Sequence, residues 1–487
     1  MTKLASESLR MRRSLLRFAA FAGAAALVDS PALPAATGAQ GIGGDMHSTS
    51  GVMANGWADY RAILARVHAP TFPDREYSIA QFGALAGSGN DATAAIAGAI
   101  DACHRAGGGR VLVPAGEFLT GPVVLKSNVN LHLAEGATLK FSTEPSRYPT
   151  VFTRWEGIEC MNYSTLIYAF GQENIAVTGK GTLDGQASDR NWWAWKATQK
   201  VDQLALIAMG ENGVPVAERV FGPGHRLRPN FVQFYRCRNI LIEDIRIRNS
   251  PMWELHPVLS SNITVRGVKI DSHGPNNDGC DPESCQDVLI ENCEFNTGDD
   301  CIAIKSGKNN DGRRVNVASE NIVVRGCRFL DGHGGVVLGS ECSGHIRNVF
   351  VENCEMDSPR LDRALRFKDN AARGGILENV FMRNVKIGRV GESVLTIDLL
   401  YEEGPRGTHP VIVRNVQLEN VTSSASPRVM HIAGYPGAII DRIVFRDCAF
   451  RGVESTEVVS ISGSIEFHNV VIEPLRKPAR LSSREPL

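Results

Sequence analysis

No stretch of the 487-residue sequence reaches the roughly 18 consecutive apolar residues that a membrane-spanning helix requires, which excludes a chain held in a bilayer by such a helix. An excess of charge of one sign is missing as well. Lys plus Arg total 52 and Asp plus Glu 53, a net charge of -1, whereas a nucleic-acid binder carries a marked basic excess. The 12 histidines lack paired ligand spacing, so no metal is expected. The glycine-rich run GHGGVVLGS lacks the Lys-Ser/Thr of a phosphate-binding loop and the βαβ setting of a dinucleotide fold, so no nucleotide or other cofactor is expected. Eleven cysteines, an odd number in a long chain, argue against a disulfide framework.

What is present is ordinary in bulk and unusual in one respect. Hydrophobic residues make up 43% and charged residues 22%, as in a globular protein. Glycine, at 48 residues, is well above its usual share of about 7%, which points to many tight turns. At the N-terminus, Arg10, Arg12 and Arg13 precede an apolar stretch from Phe18 to Val28 and the small-residue segment PALPAATGAQ, the layout of a secretory signal peptide. The run from Arg12 to Arg17, RRSLLR, resembles the twin-arginine export motif. Residues 1–39 are therefore read as a signal, 40–75 as a leader segment, 76–476 as the main domain and 477–487 as a tail.

One line recurs through the main domain: NILIEDIRI from Asn239, NITVRGVKI from Asn262, DVLIENCEF from Asp287, NIVVRGCRF from Asn321 and NVFVENCEM from Asn348. It continues as NVFMRNVKI from Asn379, NVQLENVTS from Asn415 and RIVFRDCAF from Arg442. Apolar residues stand one, three, six and eight positions after each start. The alternation changes phase at a polar pair such as Glu243-Asp244, so each unit reads as two short strands joined by a bend. No unit can bury its own apolar side, so the units must stack. The expected fold is all-β, a right-handed parallel β-helix with coils about 4.8 Å apart. Cys293, Cys327, Cys354 and Cys448 fall in a slot shared with Ile245, Val268, Val385 and Val421, which predicts buried small hydrophobes. The asparagines of the starting slot predict a ladder of amides at a turn.

Residues 91–105 read as one amphipathic helix with Ile96, Ile100 and Cys103 on one face, suited to capping the open N-terminal end. Residues 192–228 break the rhythm and form a long excursion. Its tryptophans, Trp192, Trp193 and Trp195, either wall a cleft or bury the excursion.

Unusual polar residues gather at similar offsets in three consecutive units: Asp278, Asp299 with Asp300, and His333. Stacking turns similar offsets into neighbours. Arg366 and Lys368 follow on one face of a strand. Clustered carboxyls cannot all ionise cheaply, so at least one is raised and supplies a general acid beside a carboxylate base. That is the requirement of glycoside hydrolysis, and the basic pair suits an acidic sugar. Taken singly, each element also fits a capped turn or a calcium site.

The ordered series NNDG, GDD, GHG and RFK on a β-helix resembles glycoside hydrolase family 28, the polygalacturonases, whose motifs are NTD, DD, GHG and RIK. The resemblance covers residues 77–466. It implies that Asp299 is the general acid, that Asp278 and Asp300 position and deprotonate water, and that His333 supports the acid. It implies that Arg366 and Lys368 bind a galacturonate carboxylate and that Tyr401 lies at the substrate subsites. Asn277 stands for Thr of NTD, Phe367 for Ile of RIK, and Gly298 where the family often has a polar residue. The family inverts configuration, which leads one to expect acid and base carboxyls roughly 6.5 to 9.5 Å apart. Lys305 could meet a substrate carboxylate or lie solvated at the rim. For Trp253, His256 and His273 both sugar contact and packing fit.

The resulting expectation is an exported hydrolase of α-1,4-galacturonosidic bonds in pectin, exo-acting because long insertions could close one end of a cleft. Its partner is the polysaccharide or an oligogalacturonide, with no nucleic acid, membrane or second copy. The alternatives are calcium-dependent pectate or pectin lyase chemistry, a rhamnogalacturonan hydrolase, and a non-catalytic carbohydrate-binding solenoid.

Overall fold

In the unit that begins at Asn262, Ile263 and Val265 on strand Ser261–Arg266 are buried, as are Val268 and Ile270 at and beyond the bend. Gly267 between the strands has φ 63°, and its counterparts Asp244, Asn292, Asn353 and Asn384 are also left-handed. Only glycine and the short polar side chains visit that region cheaply, so they mark the bends. Repeating the unit gives the right-handed parallel β-helix. The computed structural model describes residues 56–87, 89–458 and 463–475; the signal read at 1–39 and the tail at 477–487 lie outside the described residues.

Three faces wrap the core. The first runs from strand Glu76–Ser78 to strand Ile465–His468, and the second from Gly116–Thr120 to Arg328–Asp331. The third begins with Val123–Val124, Ile167–Phe170 and Val232–Tyr235. Bridges Val232↔Leu255, Leu255↔Cys280 and Cys280↔Ile302 continue it into strands Ile302–Ile304, Val336–Gly339 and Arg363–Lys368. Pairing along the faces is parallel. All eleven cysteines are free and buried, the four in the repeat slot among them.

The amide ladder is present: Asn239 Nδ2 donates to Asn174 Oδ1 (2.9 Å), Asn262 to Asn239 (2.8 Å), Asn348 to Asn321 (3.1 Å) and Asn379 to Asn348 (3.1 Å). At Asp287 the slot holds a carboxylate, which cannot donate. The leader segment fills in here. Arg66 Nη2 donates to Asp287 Oδ1 (2.8 Å), and the backbone of His68 bonds both ends of the Asn262 amide (2.8 and 2.9 Å). Just before it, helix α1 (Trp57–Leu64) packs Tyr60 and Ile63 over an outward apolar stripe, Leu289, Val323, Phe350 and Phe381.

Helix α2 (Thr93–Arg105) caps the core with Ile96, Ile100 and Cys103, as read from the sequence. It starts at Thr93 because Asp91 is bridged to Leu119 and its carboxylate accepts the Thr93 N–H (3.0 Å). The excursion contains a 3-10 turn, Trp192–Ala197, and helix α3 (Lys200–Glu211). Trp192 and Trp195 are buried in the main core, and Trp193 Nε1 donates to Ser250 O (2.8 Å), so the tryptophans anchor the excursion. An antiparallel hairpin, Thr150–Trp155 with Ile158–Tyr163, packs beside it around Leu206, Phe221 and Trp253. Helix α4 (Asn309–Val315) braces both: Asp311 accepts from Arg219 Nη1 (2.6 Å) and from the Glu159 N–H (2.8 Å).

Asn348 has φ 58° and both donates and accepts in the ladder. Asn348→Ala is expected to cost about 2 kcal/mol, from lost amide bonds and a β-carbon forced into the left-handed region. Asn348→Gly should cost less, the reverse of the usual order for the two residues. Chemical denaturation midpoints decide it, and equal or inverted losses would refute the ladder argument.

Candidate active site

The second face turns into the third through short loops, and these loops carry the acids. Backbone bonds lock successive loops together: Gly279 N to Asp300 O (3.0 Å), His333 N to Asp299 O (3.1 Å) and Cys301 N to Gly334 O (2.8 Å). Gly332 has φ 147°, and a β-carbon there would lie 2.6 Å from Asp299 O, so close stacking of these loops requires glycine. A β-carbon at Gly298 would lie 2.8 Å from Gly274 O, which explains why no polar side chain stands at that position. Asn277 is buried and clasps its loop. Its Oδ1 accepts from Ser272 Oγ (2.8 Å) and Gly274 N (2.7 Å), and its Nδ2 donates to the carbonyls of Ser250 and Met252.

Asp278, Asp299 and Asp300 converge, with one oxygen of each within 4.8 Å of the others. This is closer than the 6.5 to 9.5 Å expected from an inverting enzyme, because one coil step fixes the distance between Asp278 and the Asp299–Asp300 pair. His333 Nδ1 lies 3.0 Å from Asp299 Oδ1. Lys368 Nζ donates to Asp300 Oδ2 (2.5 Å), and Arg366 Nη1 lies 3.5 Å from Asp300 Oδ1. Lys305 Nζ stands 3.8 Å from Asp278, 3.3 Å from Glu341 and 4.5 Å above the Trp253 ring. Tyr401 presents its ring to Arg366 (5.6 Å) and Lys368 (5.4 Å). The three carboxylates could span a hard cation, but any such ion would face the ammonium groups of Lys368 and Lys305.

Asp299 is the accessible acid, with 19% of its side chain exposed against 4% for Asp278 and none for Asp300. Burial, together with the charges of Asp281 and Asp299, raises the Asp278 carboxyl well above its ordinary value. Burial would raise Asp299 too, but the hydrogen bond from His333 and the charges of Lys368, His333 and Lys305 hold it well below. The same hydrogen bond raises His333. One raised acid was expected, and in the free protein it is Asp278; the Asp299–His333 pair holds its own proton on the imidazole side.

Eight of the ten residues named from the sequence meet here: Asp278, Asp299, Asp300, His333, Arg366, Lys368, Tyr401 and Lys305. Two do not. His256 is fully buried: its Nδ1 accepts from Asn230 (2.7 Å) and Gln233 (3.0 Å), and its Nε2 donates to Glu283 (2.8 Å). The hairpin covers that part of the third face, so His256 is a core histidine and not a sugar contact. His273 is exposed beside Asp271 and Asp331 and is not among the residues lining the pocket. The pocket, of 310 Å³, opens over Asp278 and Asp299 and is lined by Lys368 and Tyr401. The excursion supplies Lys196, Gln199, Lys200 and Gln203, and the hairpin Glu156. The sequence reading missed Glu341 and Glu156, which pair with Lys305 and Lys308; only the glycine-flanked GSECSG run hinted at the first.

A model of glycosyl hydrolases family 28 matches residues 219–461. Among solved structures, the hyperthermoactive exopolygalacturonase of Thermotoga maritima shares 44% identity and a TM-score of 0.83, over 86% of this chain and 96% of that one. The exo-poly-alpha-D-galacturonosidase of Dickeya chrysanthemi is 27% identical over 82% of this chain and 71% of that protein. A probable polygalacturonase of Vitis vinifera is 28% identical over 67% of this chain, which spans 62% of the grapevine protein. Parallel coils, the stacked acids with His333 and the basic pair, and these likenesses lead to one assignment: the chain belongs to glycosyl hydrolase family 28 and is a glycoside hydrolase.

Proposed function

We propose that the protein hydrolyses α-1,4-galacturonosidic bonds of polygalacturonate, releasing sugar from a chain end by single displacement with inversion. The observation that carries this reading is the pairing of three stacked aspartates with the cations Arg366 and Lys368 two strands beyond Asp300, an acid site built beside a carboxylate site. Identity of 44% to an exopolygalacturonase supports the galacturonan and the exo action. So does the excursion, which stands across the side of the pocket opposite Lys368 and Tyr401.

In this reading Asp299, the accessible acid, reaches the glycosidic oxygen. It hands over the proton that it shares with His333 as the bond from the anomeric carbon to that oxygen breaks. A water beside Asp278 and Asp300 forms the new bond to the anomeric carbon and gives its proton to Asp300. Asp278 and Asp300 are too enclosed to reach the sugar themselves, which favours water as the nucleophile despite the short spacing. Export through the twin-arginine route as a monomer would place the enzyme with its polymer.

Two outcomes follow. Asp299→Asn should lower kcat by about 10³-fold while still binding trigalacturonate. Wild-type protein lacking residues 1–39 should release monogalacturonate from the earliest time points with little fall in viscosity, the β-anomer appearing first by proton NMR. A ladder of oligomers would remove the exo assignment, and an α-anomer the inversion. Because His333 is raised and must be protonated for Asp299 to hold its proton, kcat/KM should fall as pH rises through a value above about 6.5. His333→Ala should move that alkaline limb to lower pH; an unmoved limb would disconnect His333 from the acid.

A further inference from the structure

Two cations of the excursion, Arg228 and Lys196, are held by neutral oxygens alone. Arg228 is completely buried, yet its guanidinium donates only to neutral oxygens: Nε to Gln199 Oε1 (3.0 Å), Nη1 to the carbonyls of Pro251 (2.8 Å) and Pro275 (2.6 Å), and Nη2 to Asn276 Oδ1 (2.7 Å). Lys196 Nζ donates to the same Asn276 oxygen at 2.6 Å and lines the pocket. Neither forms an ion pair among the described residues. Other enclosed cations do: Arg154 with Glu283, Arg219 with Asp311, Lys305 with Glu341 and Lys368 with Asp300. Burial draws Arg228 down to about 10, and desolvation lowers Lys196 although that residue as a whole is exposed. Positive charge stands here with no acid in direct contact, Glu156 and Asp299 acting on both cations only from farther off, which is costly unless a ligand supplies a closer counter-charge.

The place of this charge identifies the ligand. Asn276 lies two residues before Asp278, at the end of the pocket walled by the excursion, while Lys368 and Tyr401 stand at the other end, three and four coil steps on. A bond held at Asp299 has one sugar on each side. Arg366 and Lys368 serve one. On the other side, Lys305 and Lys308 already face Glu341, and Glu156 is held by Gln203 (2.6 Å). That leaves the excursion's own lysines, Lys196 and Lys200, open to a ligand, and of the two Lys196 is the one fixed in place, by its bond to Asn276.

We propose that Lys196, backed by Arg228 through their shared bond to Asn276, binds the carboxylate of the sugar lodged between the aspartates and the excursion, so that this end admits a free uronate and rejects its methyl ester. The inference rests on the reading of the pocket as a galacturonan chain-end site. An ester would add a methyl group and leave the ammonium uncompensated.

The test uses two trigalacturonates, one fully acidic and one esterified only at its non-reducing end, titrated calorimetrically into Asp299→Asn protein with Lys196, Lys196→Gln or Lys196→Arg. The acid should bind about 10- to 100-fold tighter than the ester when Lys196 is present, the range of a charge-assisted bond. Lys196→Gln should bring the two within about 3-fold, and Lys196→Arg should keep the preference. Equal affinities with Lys196, or a preference that survives Lys196→Gln, overturns the proposal. Hydrolysis of the acidic trimer by wild-type protein is measured in parallel. Hydrolysis without the preference removes the carboxylate site and keeps the enzymatic reading. The preference without hydrolysis does the opposite, and no binding of either trimer removes both.

Discussion

Everything in this molecule answers to the hydrogen-bonded step between coils, which brings like positions of successive units to within about 4.8 Å of one another. For apolar residues and amides the constraint is favourable, and valine stacks on valine and asparagine on asparagine. For charges it is hostile unless signs alternate. On the first face they do: Glu243, Arg266, Glu291, Arg325, Glu352 and Arg383 stand in register on six consecutive coils, each acid against a base. The rule is broken at the turn into the third face, where Asp278 is followed one coil later by Asp299 and Asp300. The alternation of the first face gives way there to three acids of one sign, and the place is the pocket.

The repulsion is contained in two ways. Cations are brought to the acids from neighbouring coils, Lys305 to Asp278 and Lys368 with Arg366 to Asp300, while His333 takes Asp299. Where burial outweighs the cations, the carboxyl is raised. Burial raises Asp278, and behind it Asp281 and Glu254, whose carboxyl oxygens have no hydrogen-bond partner, are raised as well. The site is thus a set of carboxyls sorted by their surroundings into charged and neutral members, which acid–base chemistry at one bond requires.

The sequence was legible wherever the two-residue period reached. The paired strands, the buried cysteine slot, the amide ladder and the α2 cap all follow from apolar spacing and from which residues bend easily. The acid cluster was legible for the same reason, since equal offsets become neighbours. Apart from Glu341, just past strand Val336–Gly339, what escaped notice came from segments that leave the shaft. His256 stands near Asp278 in the chain, but the hairpin of residues 150–163 covers its side of the third face, and nothing in SPMWELHP announces the cover. Glu156 belongs to that hairpin and Lys196 to the excursion, so their meeting in the pocket depends on how two insertions lean together. The carboxyl spacing was misjudged because a coil step leaves less room than a diagonal between side chains suggested.

Helix α1 and the segment after it bear on the order in which the molecule can be put together. Tyr60 bonds Glu352, 292 residues further on, and His68 bonds Asn262, 194 residues further on. The stripe beneath α1 is made of Leu289, Val323, Phe350 and Phe381, one from each of four coils, and has no existence until those coils have stacked. This segment, made before the coils it sits on, is therefore among the last to find its seat. It acts as a latch on a finished shaft, spanning the single rung where the amide ladder lacks a donor.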